Sequence, residues 1–327
     1  SLGEDSFKLI YTPTSGNNVA TGTFINCTSL THGPSTLELH GASGNNSYKE
    51  MFSGCSSMTS LGEDSFIIDV PNAGLYTLGS TFINCSALLR GPRTFKIGNV
   101  GNSSLQSTFN NCVAMTSMGE DAFTIESVNV EGAGLQRTFY GCKSLESAPT
   151  VFKLSGTLGT GACQDTFSGP AGPDYPLGCN VMDLDFDNVD FSGVTAFGQG
   201  ACMAIFNGCL KAHGACPAFP PSATLNHNCF RQMYADCANM VGLPDIPYEN
   251  LGATCSFQQT FWNVGNPDHG GTRPTSCNCH IKSGTGSNAT AAMFAHLGNV
   301  QFHVPAGNPY GWIADSTDNT PANKHLH

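Results

Sequence analysis

The sequence predicts an α/β solenoid, in which short parallel strands alternate with short helices in about ten stacked units of 27 to 30 residues. Three observations predict it: a recurring phrase built on an aromatic residue and a cysteine, a helical spacing of apolar residues around it, and a short alternating run after it. The phrase reads GTFINCTSL at 22–30 and STFINCSAL at 80–88. A phrase used this often marks a structural unit rather than a single active site.

The aromatic residue of the phrase sets the register of the repeat. Successive aromatics are separated by 27 to 30 residues, except for steps of 39 and 33. The longest step follows Phe167, where SGPAGPDYPLG indicates an inserted loop. We expect these rings to be interior wedges between stacked units, and the predicted structural core is Phe24, Phe52, Phe82, Phe109, Phe139, Phe167, Phe206, Tyr234, Phe261 and Phe294.

A second level of repetition lies above the first. The segment SLGEDSF at 1–7 returns at 60–66 and becomes SMGEDAF at 117–123. Units that carry this segment, here called A units, alternate with B units that carry HGP, RGP or SAP, so the double period is about 58 residues. Because Gly-Glu-Asp recurs in every A unit, it predicts a turn or a cap rather than a catalytic pair of carboxylates.

Within a unit, the apolar spacing predicts a short helix. Leu105, Phe109, Cys112 and Met115 fall at i, i+4, i+7 and i+10, which is one face of a helix. The alternating run that follows, such as TFKIG at 94–98, predicts a strand that is buried on one side. Strands stack about 4.8 Å apart and helices about 8–10 Å apart, so the stack should bend with its sheet on the concave side.

The stretch MFSGCSSMTSLGEDSF at 51–66 resembles the BspA-like class of leucine-rich repeats, whose units have an F-x-x-C-x-x-L core. At the level of repeats the resemblance covers nearly all of the chain and weakens after Phe167. It implies an extracellular surface protein that serves adhesion, binding or scaffolding. The units here are longer than the usual length of about 23 residues in that class.

Seven of the 15 cysteines stand three residues after the aromatic. Neighbouring helices would hold their Cα atoms about 8–10 Å apart, too far for a disulfide, which needs about 7 Å or less. The sequence therefore predicts buried free thiols that act as small apolar side chains. They are Cys27, Cys55, Cys85, Cys112, Cys142, Cys209 and Cys237.

The other eight cysteines all lie in the second half of the chain, where the units are less regular. We expect up to four disulfides there, with Cys163–Cys179, Cys202–Cys216 and Cys255–Cys277 among the 105 possible connectivities. The full set of candidates is Cys163, Cys179, Cys202, Cys216, Cys229, Cys255, Cys277 and Cys279.

Composition narrows the class of protein. Only 11% of the residues are charged, against about 25% in ordinary soluble domains, and the net charge of −11 disfavours a nucleic-acid partner. No apolar run is long enough for a membrane span. Low charge, many cysteines and five sequons favour an extracellular or cell-surface glycoprotein. The predicted glycosylation sites are Asn26, Asn45, Asn84, Asn102 and Asn288.

The sequence offers little that predicts chemistry. Asp183, Asp185 and Asp187 share one strand face and are a weak candidate for a hard cation, although a solvated strand face explains them as well. The spacing around CNCH at 277–280 does not match a standard zinc site. Nucleophile-elbow, zinc-protease, dinucleotide and P-loop motifs are missing. We expect no enzyme, no cofactor and no resident metal.

The chain divides into regular repeats at 1–168, irregular cysteine-rich repeats of the same solenoid at 169–312, and a polar tail at 313–327. The predicted function is that of an extracellular structural or adhesive protein, a subunit of a surface layer or of a head-to-tail filament. Self-association is expected because the chain begins inside an A unit, where a solenoid needs a cap. The alternative is a module that binds a glycan or another surface protein on the concave sheet.

Overall fold

The computed structural model is a parallel β-solenoid of about eight turns. The prediction of a solenoid is confirmed, and the prediction of alternating helices is wrong. The structure describes residues 8–12, 16–41, 44–169, 178–251, 257–281, 283–284, 293–294, 296–297, 301–304 and 324–326.

The main sheet contains eight parallel strands in the order β1-β2-β3-β4-β5-β6-β7-β9. These strands are Lys8–Tyr11, Thr36–His40, Ser65–Ala73, Thr94–Val100, Ala122–Val130, Val151–Leu158, Val189–Phe197 and, for β9, Thr224–Leu225. Three small parallel sheets, β10-β8, β11-β13 and β12-β14-β15, are formed by the C-terminal part of the chain. Their strands are β8 His213–Ala215, β10 Asn239–Val241, β11 Asn250–Leu251, β12 Ser276–Asn278, β13 Ser283–Gly284, β14 Gln301–Val304 and β15 Lys324–Leu326. Two 3₁₀ turns lie at Phe186–Asn188 and Pro267–His269.

The strands alternate as the sequence predicts. In β4, Phe95 and Ile97 are buried while Lys96 is exposed, and the alternation repeats in β5 with Phe123 and Ile125. Phe95 pairs with Phe123 in register, so like residues lie above one another along the stack. One face of the sheet therefore supplies half of a continuous apolar core.

The second wall consists of ribbons of overlapping turns in place of the predicted helices. In the ribbon at 74–85, Thr81 N donates to Leu78 O (3.2 Å). The amide of the next residue points the other way: Phe82 N donates to Thr108 O of the following coil (2.8 Å). Alternate N–H groups are thus bonded within the ribbon and across to the next coil, which satisfies the backbone without a helix.

Left-handed backbone at every fourth residue explains why the described ribbons are not helices. Tyr76, Ser80 and Asn84 have φ values of +52°, +55° and +60°. A residue with positive φ interrupts right-handed helical winding, so the chain makes a new turn every four residues. Side chains four residues apart then point the same way, as Leu105 and Phe109 do, and this spacing imitates a helix.

The predicted core aromatics form one ladder. Consecutive rings are nearly parallel, with centroids 5.0 to 5.9 Å apart and interplanar angles of 4° to 13°. The ladder runs through Phe24, Phe52, Phe82, Phe109, Phe139, Phe167, Phe206, Tyr234, Phe261 and Phe294. Phe24, in the first coil, is partly buried, and the others are buried.

The structure lacks the difference in spacing from which a curved stack was predicted. Both walls are held from coil to coil by backbone hydrogen bonds, so they share one spacing and no mismatch between strands and helices exists. The face that the sequence predicts as a concave sheet is therefore described below simply as the outer face of the main sheet.

Candidate interaction surfaces

A row of thiols lies beside the aromatic ladder and is bonded to it. Cys85 Sγ donates to Phe52 O (3.1 Å), Cys112 Sγ to Phe82 O (3.2 Å) and Cys142 Sγ to Phe109 O (3.1 Å). Each thiol thus reaches a carbonyl of the preceding coil. Burial raises the pKa of Cys55 to about 11 and that of Cys142 to about 12. These thiols are structural donors, and their burial opposes formation of a reactive thiolate.

The thiol row differs from the predicted set at two places, the first coil and the inserted loop after Phe167. Cys27, predicted to be buried, is exposed. Cys179, predicted to be in a disulfide, occupies the row position of the Phe167 coil: its N donates to Phe167 O (3.0 Å) and its Sγ to Phe139 O (3.4 Å). The loop before Cys179 separates it from Phe167 by 12 residues, which hid the relation in the sequence.

The disulfide prediction is corrected. All 14 described cysteines are free thiols, and Cys255 lies outside the described residues. Cys163 and Cys202 occupy one inward row of the ribbons, since Cys163 N donates to Ala201 O (2.7 Å), while Cys277 Sγ donates to Pro244 O (3.7 Å). The candidates found free are Cys163, Cys179, Cys202, Cys216, Cys229, Cys277 and Cys279. The seven cysteines that follow the aromatic by three residues were predicted to be too far apart for disulfides because helices would separate them. That reason is wrong, because coils bonded through their backbones lie closer than packed helices.

The acidic run near β7 does not gather into a metal site. Asp183 and Asp185 flank the ring of His213, at 3.3 Å from Nε2 and 3.9 Å from Nδ1. Asp185 Oδ1 accepts the N–H of Asp187 and caps the 3₁₀ turn at Phe186–Asn188. Across the described part of the chain, no group of three or more His, Cys, Asp or Glu residues is placed to hold a metal ion.

Four of the five sequon asparagines lie in the described residues, and all four are exposed on the ribbon side: Asn26, Asn45, Asn84 and Asn102. The fifth, Asn288, lies outside the described residues. Asn84 Oδ1 accepts from Asn111 Nδ2 (3.2 Å), and Asn45 Oδ1 accepts from Leu75 N (3.2 Å). The amide oxygens thus bind neighbouring coils.

The outer face of the main sheet is polar and mixed in charge. Ser65 Oγ donates to Glu38 Oε1 (2.8 Å), and this bond lowers the pKa of Glu38. Lys153 Nζ lies 3.2 Å from Asp190 Oδ2. The exposed side chains of β2 to β7 include no aromatic ring, which a sugar-binding platform needs. This face offers no specific support for the alternative of glycan binding.

The face of the first coil is the second large surface. Inter-coil bonds in the ribbons have one polarity, from the N–H of the earlier coil to the C=O of the later one, as in Phe24 N to Met51 O (2.7 Å). By the same register, the carbonyls of Val19, Thr21 and Thr23 face away from the second coil, and no described residue donates to them. Val19 and Ile25 are 40% and 46% exposed. This surface, here called the first-coil face, joins apolar side chains with a row of acceptors.

Comparison of the chain with protein-family models, with curated proteins and with solved structures gives no match. The relation to BspA-like repeats stays a prediction. Within the part of the chain that the structure describes, no helix is long and apolar enough to cross a membrane.

Proposed function

We propose that this chain is a structural repeat protein whose role is to build an elongated assembly by stacking coil on coil. The observation that carries the proposal is the first-coil face. No described N–H reaches the carbonyls of Val19, Thr21 and Thr23, and Val19 and Ile25 are exposed beside them. Unpaired backbone edges are templates for further pairing, so this face suits another coil of the same kind.

The partner we propose for the first-coil face is the opposite end of a second copy. The one-way polarity of the ladder supports this choice, because in the described ribbons each coil donates its N–H groups to the coil that follows and accepts at its carbonyls from the coil before it. Contact between two different ends of one molecule is heterologous, and such contacts extend into filaments when they do not close into a ring.

An extracellular surface setting is the second part of the proposal. It is supported by the low charge of 11% and by the exposure of Asn26, Asn45, Asn84 and Asn102. Glycans at these positions would add the solubility that few charges provide. Expression through a secretory pathway, followed by glycosidase treatment and mass analysis, tests it: we expect the mass to fall after treatment, and an unchanged mass would count against it.

Assembly is tested by light scattering and negative-stain imaging at rising protein concentration. We expect filaments in the wild-type chain, and we expect the double variant Val19→Lys, Ile25→Lys to stay monomeric because it places charge on the first-coil face. The matched control is Val128→Lys, Val241→Lys, which adds the same charge at residues that are 60% and 69% exposed. A wild-type chain that remains monomeric at its highest soluble concentration, or a control that is disrupted equally, would refute the proposal.

A further inference from the structure

A notch of 340 Å³ opens in the solenoid wall where the second A unit, the following B unit and the third A unit meet. Its floor is apolar, with Leu61, Phe66 and Met118, and Leu89 stands at its rim with 51% of its surface exposed. Glu63 lines it from the second A unit and Arg90 from the B unit. The volume is at the small end of the range for ligand pockets, about 300–1,000 Å³.

The notch exists because one backbone hydrogen bond between coils is missing. This bond belongs to the corner ladder, the row of inter-coil bonds at the turn before each strand, and each such bond is called a rung. At the steps from a B unit to an A unit the rung is made: Gly33 N donates to Ser60 O (2.9 Å), and Gly91 N to Ser117 O (2.8 Å). At the steps from an A unit to a B unit, the corresponding donors are Leu61 N and Met118 N. No described residue accepts from Leu61 N or donates to Arg90 O, the pair that this rung would join.

The second step from an A unit to a B unit shows how the gap is otherwise filled. There, Met118 N donates to Ser147 Oγ (3.2 Å), so a side chain replaces the missing backbone acceptor. By register, Arg90 stands where Ser147 stands in the later unit. The long guanidinium side chain leaves the Leu61 amide without that partner, and the wall stays open.

Some charged side chains at the notch form ion pairs with each other, and others do not. Arg93 is held by Asp121, with Nη2 to Oδ1 at 3.1 Å, and lies 3.8 Å from Glu120. Among the described residues, Arg90 and Glu63 form no ion pair. The notch therefore offers one free cation, one free anion, an amide donor, a carbonyl acceptor and an apolar floor.

We propose that this notch binds a short extended peptide segment with one apolar side chain between a basic and an acidic residue. Peptide groups supply both the carbonyl that Leu61 N lacks and the N–H that Arg90 O lacks, as when a strand adds to a sheet edge. The apolar side chain fits the floor, the acidic neighbour pairs with Arg90 and the basic neighbour with Glu63. A neutral N-acetylated sugar also carries an amide, but it would leave both charges unused.

The test uses the full chain with ¹³C-labelled methionine methyl groups and the capped tripeptide acetyl-Lys-Leu-Glu-amide. We expect the Met118 methyl signal, assigned through Met118→Leu, to shift saturably, while the distant buried Met182 and Met233 do not move. Arg90→Ser should weaken binding by about tenfold or more. The substitution removes the positive charge and supplies a hydroxyl that can accept from Leu61 N, as Ser147 Oγ accepts from Met118 N. Lys96→Ser, at an exposed site on the sheet, is the matched control.

Three results would overturn the proposal. The first is a Met118 signal that does not move at millimolar peptide. The second is an Arg90→Ser variant that binds the peptide as tightly as the wild type and has the same urea midpoint of unfolding. The third is a Met118 shift with N-acetylglucosamine as large as the shift with the peptide. Replacing leucine by glycine in the peptide probes the floor separately and should remove most of the shift. Peptide binding at the notch does not require the chain to form filaments.

Discussion

The ring of Phe109 lies 5.6 Å from the ring of Phe139, and the two planes differ by 4°. The same two coils are joined by a hydrogen bond from Phe109 N to Thr138 O (2.8 Å). Ring stacking and backbone pairing therefore act together, since the ladder sets a spacing at which the rings touch. A change to one ring removes contacts on both of its sides.

Phe109→Ala should destabilise the fold by about 3–5 kcal/mol, because it opens a cavity in the middle of the ladder. Phe109→Leu should cost less, since it refills part of that space. Urea unfolding followed by intrinsic fluorescence measures both. The matched control is Val128→Ala, at a residue that is 60% exposed, which should change stability by about 0.5 kcal/mol or less. A Phe109→Ala cost as small as that of the control would contradict a stacked core.

The hydroxyl of Thr138 bonds two coils. Its Oγ1 lies 2.8 Å from Leu135 O and 3.1 Å from Leu105 O of the preceding coil. Thr138→Val keeps the shape and removes the donor, so we expect a loss of about 1 kcal/mol, while Thr138→Ser should retain most of the stability. Thermal unfolding of the two variants checks this. Serine and valine variants of equal stability would show that the hydroxyl contributes nothing.

Gly141 tests the left-handed position of the ribbon. Its φ is +74°, and the equivalent residues Asn84 and Asn111 have φ values of +60°. Gly141→Val should cost about 1–2 kcal/mol more than Gly141→Asn, because asparagine tolerates this conformation and a β-branched residue does not. The difference in urea midpoint gives the answer, and equal costs would argue against left-handed backbone here.

The thiol row predicts a loss of stability at alkaline pH. Burial raises the pKa of Cys55 to about 11, above its ordinary value of 9.0. The folded state therefore keeps its proton while the unfolded state releases it. The stabilisation is complete below pH 9 and is lost as the pH rises towards about 11.

Cys55→Ala isolates this effect. Over that pH interval the variant should lose less stability than the wild type, by up to about 1.4 kcal/mol per pH unit, which is the effect of one proton. Unfolding in urea at a series of pH values from neutral upward measures the two slopes. Parallel slopes would show that Cys55 does not titrate differently in the two states.

The repeat, its register and its inward residues were predictable from the sequence, because periodic aromatic and cysteine residues mark a core whatever backbone carries them. Leu105, Phe109, Cys112 and Met115 are all buried, although they lie on a turn ribbon and not on a helix. A spacing of four residues is shared by both structures, so apolar periodicity alone does not separate them.

A signal against the helix was present in the residues with positive φ. The position two residues after the aromatic holds Asn26, Gly54, Asn84, Asn111 and Gly141, all of which tolerate left-handed backbone. Such residues in the middle of every predicted helix indicate repeated turns. The missing hydrogen bond between Leu61 N and Arg90 O could not be predicted, because it depends on which residues of neighbouring coils face each other there.

A through-hydrogen-bond coupling, measured by NMR on the deuterated protein, tests most directly whether the ribbons are bonded from coil to coil. We expect a cross-peak between the amide nitrogen of Phe109 and the carbonyl carbon of Thr138. A cross-peak from that amide to the carbonyl of Leu105, four residues earlier, would mean that the segment is an α-helix and not a ribbon bonded to the next coil.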